Sequence, residues 1–153
     1  MNTVLVLCTG NICRSPVAEA LFRSALPGRN VLSAGLDAVV GCPPDPLATQ
    51  FMLERNIDIS SHRGQQVATW MLRAADLILV METRQQSIVE SHYPTCKGKV
   101  FRMREFDRQD IADPYGKGDV AMVIAVESIA DAVQQWCHRL NLVTNKFASG
   151  SAA

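Results

Sequence analysis

Val4-Leu5-Val6-Leu7-Cys8-Thr9-Gly10-Asn11-Ile12-Cys13-Arg14-Ser15-Pro16 decides how this chain is read. Its first four residues are a continuous apolar run, the pattern of a strand buried on both faces of a parallel sheet. A cysteine then leaves the strand and enters a short turn with Gly10 and Asn11. Arg14 and Ser15 close the turn, and Pro16 stands in the first turn of a helix predicted to reach Leu26. Strand, tight polar loop and helix in this order gather backbone N–H groups and the positive end of a helix around one spot. The result is an oxyanion cradle with a thiol at its floor.

Each residue type in the loop fits that purpose. Gly10 and Asn11 are the residues best able to take the left-handed angles of a tight loop. A thiol at a helix N-terminus beside a guanidinium ionises more readily than a free one. Arg14 adds a fixed charge and a planar fork that matches two oxygens of an anion. Ser15 is placed to donate its hydroxyl to the Cys8 sulfur. The bland alternative is an inert core cysteine at a strand end. It leaves Gly10, Asn11, Arg14 and Ser15 unexplained. The loop lacks a Gly-Lys-Ser/Thr ending, which argues against an ATP-binding loop.

Outward from this stretch, apolar runs alternate with helical patterns. Ala18, Leu21, Phe22 and Ala25 make the apolar stripe of the first helix, and Pro27-Gly28 stops it. Asn30 to Ala34 reads as a second strand. Asp45 is an N-cap before a proline-led helix through Leu53. A helix is predicted over Gln66 to Arg73, and a buried strand over Leu77 to Met81. Thr83 starts a helix to about Ser91, with Gln86 placed for a capping box. Val100-Phe101 is a short fourth strand. Asp119 is expected to cap a long last helix with Val123, Val126, Ala130, Val133, Trp136 and Leu140 on its apolar face. Trp70 is also read as core. The order implies a three-layer α/β/α domain with a four-stranded parallel sheet and helices on both faces. A single catalytic domain is expected over 1–142. Residues 143–153, rich in Ser, Ala and Asn, are expected to form a flexible C-terminal tail. Ligand sites of such sheets lie beyond the carboxyl ends of the strands, where Cys8 sits.

Composition narrows the classes. The chain has 153 residues, nearly half of them apolar, and zero formal net charge. Neutrality gives no case for a nucleic-acid partner or a membrane surface. No apolar run spans a bilayer, so no membrane insertion is expected, and the N-terminal run reads as a strand rather than a signal peptide. The five cysteines are odd in number and irregular in spacing, which points to a reducing cytoplasm. His62, His92 and His138 lie far apart, so neither a metal site nor a cofactor is expected.

Cys8-Thr9-Gly10-Asn11-Ile12-Cys13-Arg14-Ser15-Pro16 resembles the signature of the low-molecular-weight protein tyrosine phosphatases. Further likeness runs through most of the chain: Ser33 to Leu36, Gly41 to Pro46, Leu77 to Glu82 and Asp113-Pro114-Tyr115. The resemblance implies the phosphotyrosine phosphatase I-like fold and hydrolysis of phosphotyrosine through a cysteinyl-phosphate. Cys8 would be the nucleophile and Arg14 the transition-state clamp. Thr9, Gly10, Asn11, Ile12, Cys13 and Ser15 would complete the phosphate-binding loop. Asp113 would be general acid and then base, because a tyrosinate leaves poorly without a proton. A plain turn start is the alternative for Asp-Pro. Tyr115 and Val39 would flank the substrate ring; loop packing is the alternative for both. Val39 stands where many members carry Trp. The Leu36 to Gly41 pattern is closer to bacterial exopolysaccharide and capsule-operon members, which implies a tyrosine autokinase as the phosphotyrosine substrate.

Cys13 is a candidate redox guard that pairs reversibly with Cys8; the alternative is apolar filler beneath the loop. Cys42, Cys96 and Cys137 pack or lie near the surface. The resemblance gives His62 a structural role, and no role is assigned to Gln65, where many relatives carry Arg. Arg102 and Arg104 are solvated charges or steer an acidic phosphopeptide. Arsenate reductases share the cradle, but their chemistry needs relay cysteines, and only Cys96 lies near the third strand. A phosphotyrosine-binding module without activity would not need Asp113.

Overall fold

The computed structural model describes residues 2–150, with side chains through Asn141. Four strands, β1 (Thr3–Cys8), β2 (Asn30–Gly35), β3 (Leu77–Val80) and β4 (Val100–Arg102), form one parallel sheet in the order β2-β1-β3-β4. Between and after them run α1 (Arg14–Ala25), α2 (Pro46–Glu54), α3 (Thr69–Ala74), α4 (Thr83–His92) and α5 (Asp119–Gly150). β1 lies between β2 and β3, so Val4 to Leu7 are wholly buried.

Strand periodicity divides the core in two. Val4, Val6 and Cys8 face one side and pack with Phe22 of α1, Met52 of α2 and the buried stripe of α5. Leu5 and Leu7 face the other and pack with Met71 and Leu72 of α3 and Val89 of α4. Full burial of a side chain such as Phe22 or Leu79 is worth about 1.5–3 kcal/mol. The expected α/β/α layering is thus present.

Local signals explain the helix starts. Asp45 caps α2, its Oδ1 accepting from Leu47 N–H at 2.8 Å and Ala48 N–H at 3.3 Å, with Pro46 at the first helical position. Such a cap is worth about 1 kcal/mol. α4 is capped one residue earlier than its sequence predicts. Glu82 is the N-cap, and Gln85 rather than Gln86 closes the capping box. Gln86 Nε2 instead donates to Glu90 and to the Val100 carbonyl. Asp119 is the first residue of α5 rather than its cap; the Gly118 carbonyl receives Met122 N–H.

Other expectations shift for packing reasons. Gln66 does not start a helix. The segment before α3 pairs with the end of β2: Gln65 O receives Gly35 N–H, and Gly35 O receives Val67 N–H. α3 is therefore short, and Trp70 in its first turn is 59% exposed rather than core. On α1, Ala25 is exposed, while Val17 and Leu26 join Ala18 and Phe22 inside. On α5, Val123 faces outward and Ala130 is only partly buried; the buried stripe is Met122, Ala125, Val126, Ile129, Ala132, Val133, Trp136, Cys137 and Leu140. Over Asp119–Asn141 this helix has the length and mean hydropathy, 1.2, of a membrane span. Its apolar stripe is used within the fold, packing on α1 and α2. The expected tail at 143–153 lies outside the described residues, apart from the helical backbone that reaches Gly150.

Candidate active site

Beyond the carboxyl end of β1 the chain turns through residues 9–13 and enters α1 with Cys13 as N-cap. The turn depends on one left-handed residue, Asn11, at φ 57°. Gly10 does not take a left-handed angle, contrary to the sequence expectation. Glycine is needed instead at two supporting positions. A Cβ on Gly35 would lie 2.5 Å from the Thr9 carbonyl oxygen, and one on Gly64 would lie 2.3 Å from that of Val39. Both let neighbouring backbone close against the loop.

Asn11 is fully buried, and its polar groups are all used. Its Nδ2 donates to Ser15 Oγ at 2.8 Å and Ser33 Oγ at 3.1 Å, and its Oδ1 accepts from Gln65 N–H at 2.9 Å. Its carbonyl lies 2.8 Å from His62 Nε2, which must donate there. Glu19 finishes the brace, accepting from Ser33 Oγ and lying 3.8 Å from His62 Nδ1. These bonds make an asparagine affordable both in the core and at a positive φ.

The same network holds the Cys8 thiol. Cys8 Sγ is buried, 2.9 Å from Ser15 Oγ and 3.3 Å from Asn11 N–H. Ser15 Oγ already accepts from Asn11, so its own hydrogen is available to the sulfur. The sulfur thus has two polar partners, the Asn11 N–H and the Ser15 hydroxyl. Cys13 differs. Its Sγ donates to Met122 Sδ at 3.5 Å, and burial, then the charges of Asp45, Cys8 and Asp113, push its thiol well above the usual range. It rests as a neutral group beneath the loop.

Arg14 is buried, and its Nη1 donates to Glu82 Oε1 at 2.6 Å and the Ile111 carbonyl at 2.7 Å. Nη2 lies 3.9 Å from Asp113 Oδ2. One edge of the guanidinium is thereby anchored and the other faces the cavity. Asp113 is half exposed, and its Oδ1 accepts from Tyr115 N–H at 3.1 Å. Its loop is tied down at Ile111 N–H to the Met81 carbonyl and at Asp110. Partial burial opposes ionisation of Asp110, yet bonds from Thr83 and the Arg102 charge hold its carboxyl below the usual range. Arg102 is thus committed to Asp110 and Glu105, and Arg104 to Asp107. Neither is a free steering charge.

Cys8 to Arg14, Asp37, Val39, Asp113 and Tyr115 line one cavity of about 260 Å³. Of the catalytic, loop and pocket residues expected from sequence, only Ser15 is absent from the lining, acting from behind through the sulfur. Val39 and Tyr115 stand exposed at the mouth, Tyr115 at 61%. Sequence reasoning missed Asp37 at the rim, the Glu82 anchor and the Glu19–Ser33 brace. The position of Glu82 just beyond the carboxyl end of β3 was the available signal. Among the described residues, no cluster of His, Cys, Asp and Glu has the arrangement of a metal site.

A buried thiol where a strand end meets a helix start, a half-anchored guanidinium and a carboxyl at the rim are groups that suit phosphoryl transfer to sulfur and then to water. The comparisons with known proteins agree. A family model described as low molecular weight phosphotyrosine protein phosphatase matches residues 3–146. The probable low molecular weight protein-tyrosine-phosphatase EpsP of Ralstonia nicotianae is 47% identical over 140 residues, covering 92% of this chain and 97% of EpsP. The crystal structure of the Erwinia amylovora tyrosine phosphatase AmsI superposes with a TM-score of 0.87 at 39% identity, covering 90% of this chain and 92% of AmsI. The YwlE arginine phosphatase of Geobacillus stearothermophilus superposes with a TM-score of 0.89 at 29% identity, covering 95% and 97%. From its first strand to its last helix, the chain belongs to the low molecular weight phosphotyrosine protein phosphatase family.

Proposed function

We propose that this phosphatase acts in the bacterial cytoplasm on a tyrosine autokinase that controls exopolysaccharide or capsule production, with Cys8, Arg14 and Asp113 carrying the chemistry. The observation that supports the residue roles is the meeting of these three side chains in one cavity. Cys8 Sγ attacks phosphorus in line with the tyrosyl oxygen, and the P–O bond to the ring breaks. Asp113 gives its proton to the departing phenolate oxygen. The loop N–H groups, the start of α1 and Arg14 take up the charge on the three equatorial oxygens. Asp113, now a carboxylate, removes a proton from the water that attacks the cysteinyl-phosphate. Inorganic phosphate leaves, and Cys8 is free again.

The substrate ring has apolar walls. Ile12, Val39 and Tyr115 line the cavity, and an aryl group buries more apolar surface against them than a guanidinium does. The subclass reading draws support from the Leu36 to Gly41 pattern and from the identity with EpsP. Its test is phosphate release from matched phosphotyrosine, phosphoserine, phosphothreonine and phosphoarginine peptides, with a phosphorylated kinase tail as the protein substrate. Phosphotyrosine turnover that vanishes in Cys8→Ser is expected. Faster turnover of phosphoarginine would replace the aryl reading.

A further inference from the structure

Gln85 is a polar side chain with no exposed surface. A buried amide is costly unless each end finds a partner. Its Oε1 accepts from two backbone groups beyond β3, Met81 N–H at 2.8 Å and Glu82 N–H at 3.1 Å. Two N–H donors on one atom fix which end of the amide is oxygen. The Nε2 end therefore points the other way, where it donates to Thr9 Oγ1 at 3.2 Å.

The phosphate loop is braced unevenly. Towards β2, the N–H groups of Leu36, Asp37 and Val39 bind the carbonyls of Cys8, Thr9 and Gly10, and Asn11 is held by Ser33, His62 and Gln65. From β3 and α4, the Gln85–Thr9 bond is the one hydrogen bond to residues 9–13 among the described residues. The same side chain holds the backbone of Glu82, whose carboxylate grips Arg14. One amide thus couples the loop to the guanidinium, the two sets of donors that must meet the same phosphoryl oxygens.

We propose that Gln85 is a positioning residue of this active site, keeping the Thr9 segment of the phosphate loop in register with the Arg14–Glu82 pair. The inference rests on the phosphatase reading of the site. Donors aimed at a transferring group act only while their relative placement is kept, and a shift of about 1 Å costs up to about a hundredfold. A loosened loop start should therefore lower kcat and the affinity for a transition-state-like anion together, leaving KM nearly unchanged.

Thr9→Val tests the strut directly. It keeps the side-chain volume and leaves Gln85 on its two backbone donors, while Thr9→Ser keeps the hydroxyl. For a phosphotyrosine peptide, Thr9→Val is expected to lose about tenfold in kcat. Orthovanadate affinity should fall in parallel, and Thr9→Ser should recover most of both. Gln85→Leu should move both readouts in the same direction, with a lower Tm. A merely structural role would lower Tm and leave kcat and vanadate affinity unchanged. That result in Thr9→Val overturns the proposal. Vanadate binding is measured without turnover, so it reads the strut independently. Failure of the phosphatase reading would appear instead as wild-type protein inert on every phosphotyrosine substrate.

Discussion

Asn11→Ala attacks the site at its most heavily bonded residue. Three side-chain hydrogen bonds disappear, those to Ser15, Ser33 and Gln65. At about 1 kcal/mol each they sum to about 3 kcal/mol. Alanine at φ 57° adds about 1 kcal/mol of backbone strain. The expected loss is about 4 kcal/mol, a large part of the 5–15 kcal/mol that holds a typical domain. It corresponds to a fall in Tm of about 10 °C in a chain of this size. Ser15 also loses the donor that orients its hydroxyl towards Cys8, so kcat should fall about tenfold while KM changes little. Asn11→Gly separates the two causes: it loses the same bonds without the strain, and should be about 1 kcal/mol more stable than Asn11→Ala. Chemical denaturation and steady-state kinetics on a phosphotyrosine peptide supply the numbers. Stability of Asn11→Ala within 1 kcal/mol of wild type would refute the reasoning, and so would equal stability of the two variants.

Four further outcomes follow from the same geometry. Asp113→Asn should slow aryl phosphates with basic leaving groups far more than those with acidic ones. A uniform loss across a leaving-group series would remove Asp113 from the acid role. Arg14→Lys should cut kcat by about a hundredfold or more, because a point charge cannot hold Glu82, Ile111 and two phosphoryl oxygens at once; near-normal kinetics would contradict the clamp. Cys13 should make the fold sensitive to alkali. Its thiol ionises near 9.0 when unfolded and well above that when folded. Stability from this group is full below pH 9 and falls by about 1.4 kcal/mol per unit above it. Cys13→Ser should flatten the alkaline limb of Tm against pH. The same variant tests the guard role: it should turn over normally yet regain less activity than wild type after peroxide and reductant.

The parts of this protein that are contiguous in sequence were the legible ones. The Val4 to Pro16 stretch announced strand, loop and helix together, because buried parallel strands are uniformly apolar and cradles need residues of special backbone freedom. The buried run at Leu77 and the Asp45-Pro46 cap were equally local. The braces were not. Glu19, Gln65 and Gln85 carry no periodic or motif signal, and Ser33, His62 and Glu82 fall in or near recognisable stretches that do not reveal their partners; all six matter because the fold brings them to Asn11, Arg14 and Thr9. Trp70 was misjudged for a related reason. Apolar character does not show which face of a short helix is covered, and pairing of Gln65 to Val67 with the β2 end fixes where α3 begins. Val123, Ala130 and Ala25 were each displaced by a single position, the buried neighbours being Met122, Ile129 and Leu26.

The alternation along β1 sets a reading frame for the chemistry. Cys8 faces the α1 and α5 layer because it shares parity with Val4 and Val6, and side chains of a strand change face at every residue. Insertion or deletion of one residue between Thr3 and Leu7 would carry the thiol to the α3 and α4 layer, away from Ser15. An exposed turn such as the one at Gly98 carries no such constraint. In a lineage of such chains, length should vary freely in the turns and be frozen in the first strand. The Cys8 thiol is held in place by counting as much as by chemistry.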